Sequence, residues 1–242
     1  MAKDHKTGDH KTGDHKTGDL TLIVGSKNYS SWSLRPYLAL KATGLPFREV
    51  LIPLRTDDTY RHIRLYSPSG TVPVLLHGDI KVWESLAICE YLAELAPAAH
   101  LWPEDSEARA FGRSIANEMH AGFAALRQNM PMDLARDRRQ ESRAHLVTDQ
   151  IARISAIWNE ARERFGQRGA NGEGPFLLGG FSIADAMFAP VATRFRTYGV
   201  ALDETSQHYC NAVFAWPGFK EWEAAALAET AIFQFDVFQK AD

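Results

Sequence analysis

Four groups of residues in this chain have types and spacings suited to chemistry. Tyr29-Ser30-Ser31-Trp32-Ser33 sets three hydroxyls just ahead of an apolar run. In the first turn of a helix, hydroxyls join the unpaired amides and the positive end of the dipole to hold an anion, although the same serines can serve as caps alone. Glu84-Ser85 opens a second helical stretch, where a hydroxyl and free amides can take a carboxylate while the Glu84 side chain faces an ammonium. Pure capping by Ser85 is the plainer use. Glu118-Met-His-Ala-Gly-Phe123, followed by Leu126, Arg127 and Met130, offers His120 and Arg127 to a polar or acidic substrate. The spacing of Met119, Phe123, Leu126 and Met130 is equally that of a helix face turned to a core. Lastly, Thr71-Val72-Pro73-Val74 interrupts a strand pattern with a residue that cannot donate to a ladder, which predicts an unusual edge.

These groups need elements to position them. The β-branched run from Leu20, stopped by Gly25, predicts a buried strand. The serines then cap a helix that begins near Ser31 to Ser33, because Pro36 is tolerated in a first turn, and that ends at Gly44. Phe47 to Leu54 reads as a second strand, and Thr71 to Leu76, a strand interrupted by Pro73, turns through His77-Gly-Asp79 into Ile80 to Trp83. Ser85 to Leu95 closes a βαβ-ββα half. A boundary falls near Pro97 to Pro103. Beyond it the pattern is helical, with one long helix from Glu107 to about Asn129 and others at about Arg143–Phe165, Ile183–Tyr198 and Trp216–Ala228. Phe181-Ser182-Ile-Ala-Asp185 is a capping box, in which Ser182 reaches forward and Asp185 reaches back, a folding role.

Composition narrows the class. The chain has 242 residues, 45% of them hydrophobic, and a formal net charge of −3, enough for one large or two small domains. Asp-His-Lys-Thr-Gly occurs three times in tandem from Asp4 to Gly18, and residues 1–19 read as a disordered, tag-like tail outside the fold. Without it 23 basic and 26 acidic side chains remain, so the balance still gives no electrostatic reason to expect nucleic acid or an anionic membrane. No run reaches the ~18 apolar residues a membrane span requires. Two distant cysteines, Cys89 and Cys210, exclude a disulfide scaffold and give no zinc spacing, which suits a reducing, cytoplasmic setting.

The βαβ-ββα order, the Val72-Pro73 turn with Glu84-Ser85, the serine-rich Ser30-Ser-Trp-Ser-Leu-Arg35 and the late Phe181-to-Asp185 box together resemble the cytosolic glutathione transferase family over nearly the whole chain after the tail. The resemblance implies an α/β thioredoxin-like, glutathione-binding N-terminal domain at residues 20–97 and an all-α C-terminal domain at residues 104–242. It implies glutathione as co-substrate without a metal, a small-molecule electrophile bound between the halves, and a homodimer. Ser30 is then the catalytic group that holds the thiolate, with Ser31, Ser33 and Tyr29 as rivals. Ser31, Val72, Glu84 and Ser85 would bind glutathione, Val72 through a cis Val72–Pro73 bond that exposes its backbone to the cysteinyl unit. Arg61 is the favoured cation for the glycyl carboxylate, and His120, Phe123 and Arg127 would line the electrophile site. The serine turn is most similar to the zeta class, but Trp32 stands where that class has a cysteine. Conjugation is therefore the expected chemistry, with zeta-type maleylacetoacetate isomerisation and non-catalytic glutathione-fold binding as the other readings.

Overall fold

The computed structural model describes residues 19–167, 169 and 171–235; the tandem repeats expected as a tail lie outside the described residues. Strand β1 (Leu20–Gly25) sits inside a four-stranded sheet of order β2-β1-β3-β4, with β2 at Phe47–Ile52, β3 at Val74–His77 and β4 at Ile80–Trp83. β1 runs parallel to β2 and antiparallel to β3, and β3 pairs antiparallel with β4. The period of two along β1 divides its side chains. Leu20, Leu22 and Val24 pack with α1 (Ser31–Thr43) and α3 (Ser85–Leu95), whereas Ile23 packs with Ile52, Val74 and Ile63 of α2 (Thr59–Arg64). Both faces are covered, which is why the sequence there is a continuous apolar run.

Helices dominate from Ser106 onward: α4 (Ser106–Ala121), α5 (Ala124–Asn129), α6 (Thr148–Ala161), α7 (Ile183–Thr197), α8 (Glu204–Ala215) and α9 (Pro217–Leu227). Helix α7 is the axis of this half, buried at nearly every position. Its capping box is formed. The Asp185 carboxylate accepts from Ser182 N and Ser182 Oγ at 2.8 Å each and from Leu177 N at 3.0 Å. The sheet and its helices joined to a helical second half make the thioredoxin-like plus all-α architecture expected from the sequence.

Four expectations need correction. Pro73 does not mark an edge, because it precedes β3, an interior strand, so no ladder bond is demanded of it. Pro36 is the sixth residue of α1 rather than part of its first turn, at the cost of the amide that would otherwise meet the Trp32 carbonyl. The long helix from Glu107 to Asn129 is broken between α4 and α5. Phe123 adopts φ 56°, and a Cβ on Gly122 would stand 2.7 Å from the Glu118 carbonyl oxygen, so glycine permits the close turn. The stretch from Arg143 begins with a 3-10 turn at Ala144–Leu146 before α6, and α8 was not anticipated, its weakly periodic residues being bounded by the Asp203 cap and Pro217.

Candidate active site

The turn between β1 and α1 brings the serines to a cleft between the two halves. Ser30 is the N-cap of α1. Its Oγ accepts from Ser33 N at 3.4 Å and lies 2.8 Å from Ser33 Oγ, which in turn accepts from Gly25 N at 3.1 Å. The Ser30 hydroxyl donates to Ser33 Oγ, and because hydroxyl rotors turn to suit their partners it can swing from Ser33 to an anion in the cleft. Ser30 and Ser31 both line this cleft, whose volume is about 470 Å³. Ser31 Oγ accepts from Arg194 Nη2 at 3.2 Å. Ser33 is fully buried behind them, and the Tyr29 hydroxyl is engaged, donating to Ala231 O at 3.3 Å and accepting from Phe233 N at 3.1 Å.

A second, smaller cleft of about 240 Å³ adjoins the first through Trp32 and Val72 and is closed by Thr71, Pro73, Glu84 and Ser85. The Val72–Pro73 bond is cis, and Val72 lies outside the β3 ladder, so sheet pairing uses neither its amide nor its carbonyl. Glu84 caps α3 with φ 71° and no side-chain cap bond, a left-handed conformation that costs a residue other than glycine about 1–3 kcal/mol and collects at functional sites. Ser85, only 1% exposed, has an Oγ with no hydrogen-bond partner among the described residues. A buried hydroxyl without a partner is expensive, and this one opens on the cleft beside the first-turn amides of α3.

The helical half supplies cations. Arg194 on α7 donates to Met130 O at 2.8 Å and Pro190 O at 2.9 Å besides Ser31, and burial, helped by Arg127, pushes it down to about 10. Arg35 on α1 is fully buried and donates from Nε to Met187 O at 3.2 Å, while its Nη1 and Nη2 have no partner. Burial, then Arg194 and Arg127, lowers it to about 9. The Trp32 ring lies under Arg35 at 4.2 Å and 5.3 Å from Arg127, with the His120 ring edge-on at 5.4 Å. His120 Nε2 is 3.9 Å from Glu84, its Nδ1 is buried without a partner, and burial with the repulsion of Arg35 and Arg127 outweighs Glu84 to hold the ring below its usual pKa, in the neutral form.

The remaining predicted residues separate. Arg127 lines the larger cleft. Phe123 is packed into the helical core with Met119, Leu126 and Met130, the use their spacing also allowed. Arg61 is exposed and pairs with Asp58 at 2.9 Å on the surface, outside either cleft. Arg35, Arg194 and the C-terminal segment were missed. After α9 the chain returns over the serine turn: Glu229 Oε1 accepts from Lys27 N at 2.6 Å and Oε2 from Asn28 N at 3.1 Å, Phe233 stacks on Tyr29 at 3.9 Å, and Phe235 enters the cleft lining. Arg194 directly follows the run 186–193, which has no charged residue, and that was the available signal for it. Among the described residues no cluster of His, Cys, Asp or Glu could hold a metal ion, and no helix is long and apolar enough to cross a membrane.

Comparison with known proteins gives the same picture. The family model for the glutathione S-transferase N-terminal domain matches residues 29–95, and that for the glutathione S-transferase C-terminal domain matches residues 133–225. Glutathione S-transferase 1 of Dianthus caryophyllus is 39% identical over 107 residues, 43% of this chain and 48% of that protein. Maleylacetoacetate isomerase of Rattus norvegicus is 36% identical over 103 residues, 41% and 46% of the two chains. The chain thus matches about half the length of these curated relatives. Among solved structures, a glutathione transferase homolog from Burkholderia with bound glutathione superposes with a TM-score of 0.63 at 24% identity, over 86% of this chain and 97% of that one. Two domain models in their family order, matching on both sides of the clefts, identify the chain: it belongs to the glutathione S-transferase family.

Proposed function

We propose that the protein is a glutathione transferase that binds glutathione across the two adjoining clefts and directs its thiolate at a small electrophile. The observation that carries this reading is the buried, partnerless Ser85 hydroxyl beside Glu84, at one end of a run that passes Val72 and ends at the Ser30 cap of α1. Ser85 and the α3 amides take the γ-glutamyl carboxylate, the exposed Glu84 carboxylate meets the ammonium, and the Val72 backbone pairs with the cysteinyl unit. The sulfur then reaches the first turn of α1.

The thiol must lose its proton to react. Lowering a thiol from about 8.5 to about 6.5 requires roughly 2.7 kcal/mol of preference for the anion. The Ser30 hydroxyl donating to sulfur, at about 1.5–3 kcal/mol for a charged acceptor, with the helix terminus adding a few tenths to 1, supplies that. The proton leaves to solvent, the thiolate attacks the electrophilic carbon, the carbon–sulfur bond forms, and the leaving group departs with its electron pair. Ser31 accepts from Arg194 with one lone pair and keeps its own proton, so it is the rival donor to the sulfur, to be separated from Ser30 by substitution. An isomerase of zeta type would use the same glutathione site. No observation favours it, since the indole of Trp32 stands where that class has a thiol.

Glutathione titration by calorimetry and turnover of chlorodinitrobenzene, for the wild type and for Ser30→Ala and Ser31→Ala, test the assignment. The expected outcome is that Ser30→Ala raises the apparent thiol pKa of bound glutathione and lowers kcat/KM at about pH 6.5 by about tenfold to a hundredfold. Full activity in Ser30→Ala with loss in Ser31→Ala transfers the role to Ser31. Absence of glutathione binding refutes the enzyme reading, and binding without turnover leaves the non-catalytic one.

A further inference from the structure

The larger cleft carries a charge imbalance that thiol activation does not use. Arg127 and Arg194 line it, and among the described residues no Asp or Glu does. The carboxylate of the described residues at the combined site, Glu84, lies in the other cleft. Behind the lining, Arg35 stacks on the far side of Trp32 with two guanidinium nitrogens unpartnered. Among the described residues the titratable groups acting on Arg194 are Tyr198 and Arg127, and those acting on Arg35 are Arg194, Arg127 and Cys89, with no carboxylate in either set. Several arginines elsewhere are matched, as Arg153 is to Glu118 at 2.7 Å and Arg113 to Glu90 at 3.3 Å. Desolvated cations without a counter-charge are costly unless a bound anion completes them.

Arg194 is anchored by two carbonyls and Ser31. Arg127 is tied by Nη1 to Gly122 O, and its Nε and Nη2 make no hydrogen bond among the described residues. A guanidinium held by one nitrogen presents the rest of its fork, the geometry that recognises a carboxylate with two parallel bonds. Both arginines belong to the helical half, across the cleft from Leu54 and Val72, and so face whatever approaches the sulfur from that side. We propose that the preferred electrophile bears a carboxylate, and that Arg127, with Arg194 and Gln128 beside it, holds that group while the thiolate attacks.

This proposal rests on the glutathione transferase reading, and the test separates the two. The probes are a chlorodinitrobenzoate and its methyl ester, which share a ring and a leaving group and differ in charge; each enzymic kcat/KM is divided by the uncatalysed rate with glutathione. In the reaction the thiolate forms a carbon–sulfur bond and chloride leaves with the electron pair. The wild type is expected to prefer the acid to the ester by about tenfold or more, as one charge-assisted pair gives. Arg127→Gln should bring that ratio to within about threefold of unity, and Arg127→Lys should restore part of it without the bidentate contact. Glutathione binding by calorimetry reports whether each variant is folded and competent. Glutathione binding with ester turnover but no acid preference in the wild type overturns the proposal alone. So does a preference that survives Arg127→Gln, or an Arg127→Gln effect confined to the KM for glutathione and equal for both probes, which would give the arginine to the tripeptide. No glutathione binding and no turnover of either probe overturns the underlying reading.

Discussion

Replacing Ser85 by alanine separates a ligand contact from a cap by the sign of its effect. In the free protein the Ser85 Oγ is buried and unpartnered, so deleting it removes a penalty of about 1 kcal/mol, the low end for an unsatisfied buried polar group. For a chain of this size that raises Tm by roughly 2–4 °C. With glutathione bound, the same deletion removes a hydrogen bond to a carboxylate worth about 1.5–3 kcal/mol, and Kd rises about tenfold to a hundredfold. At a glutathione concentration near 100 times the wild-type Kd the ligand stabilises the wild type by about 2.7 kcal/mol, and a thirtyfold weaker variant by only about 0.9. The stability order therefore inverts: free Ser85→Ala melts above the free wild type, and loaded Ser85→Ala melts below the loaded wild type. Thermal unfolding with and without glutathione reads both orders in one experiment. A free variant that melts lower, or an undiminished shift with glutathione, refutes the assignment of this hydroxyl to the γ-glutamyl group.

Glu229→Ala removes the acceptor of the Lys27 and Asn28 amides; hydrogen exchange at those two amides should accelerate about tenfold or more and kcat should fall about tenfold, with Glu229→Gln between, and unchanged exchange would show that the clamp is not holding the turn. Because His120 is held below its ordinary value of 6.5 by burial and by Arg35, the unfolded chain binds the proton first as pH falls, so the stability this group contributes is present above about 6.5 and is lost below it. Chemical denaturation across that range should show a loss in the wild type that His120→Gln lacks, so the difference between the two falls as pH drops below about 6.5; parallel curves refute it. Gly122→Ala places a Cβ 2.7 Å from the Glu118 carbonyl oxygen, and strain of about 1–3 kcal/mol is expected as a lower urea midpoint, with a loss of acid preference because Arg127 bonds the same Gly122 carbonyl.

Local chemistry made much of the first half legible. A β-branched run, a serine cap, a helix stop at Gly44 and the Gly78-Asp79 hairpin are decided by near neighbours, and the α1 and α3 bounds follow from them. The candidate residues supplied by these same elements, Ser30, Ser31, Val72, Glu84 and Ser85, all line the two adjoining clefts, so their coming together was legible with the elements. The helical half was less so, because its apolar spacing does not say where a helix breaks. The turn at Gly122 and Phe123 is set by tertiary packing of Phe123 and Leu126, and it changes the direction in which Arg127 faces. Arg194 was illegible for a different reason: nothing near it in the chain gives it a role, and its meaning comes from a contact across 163 residues, while Arg35, read only as the end of the serine motif, takes its place from one across 152. Glu229 lies beyond every motif, at 202 residues from the amide it binds.

These long contacts share one target. The Asn28 side chain accepts from Leu134 N at 2.6 Å and Ala135 N at 3.0 Å, Trp222 Nε1 donates to Lys27 O at 3.0 Å, Glu229 takes the amides of both residues, and Arg194 reaches Ser31. The turn that presents the serines is therefore fixed by the helical half more than by its own sheet. Ordering a residue's backbone costs about 1–2 kcal/mol, and when those bonds form on folding the cost is met before glutathione arrives, so the hydroxyl and amides aimed at the sulfur need little reorganisation on binding. The same α7 residue that fixes Ser31 also lines the larger cleft. A substitution at Arg194 that reshapes the cleft must accordingly disturb the serine turn, whereas one at Arg127, whose hydrogen bonds among the described residues go to Met119 O and Gly122 O, leaves the bonds that hold that turn in place.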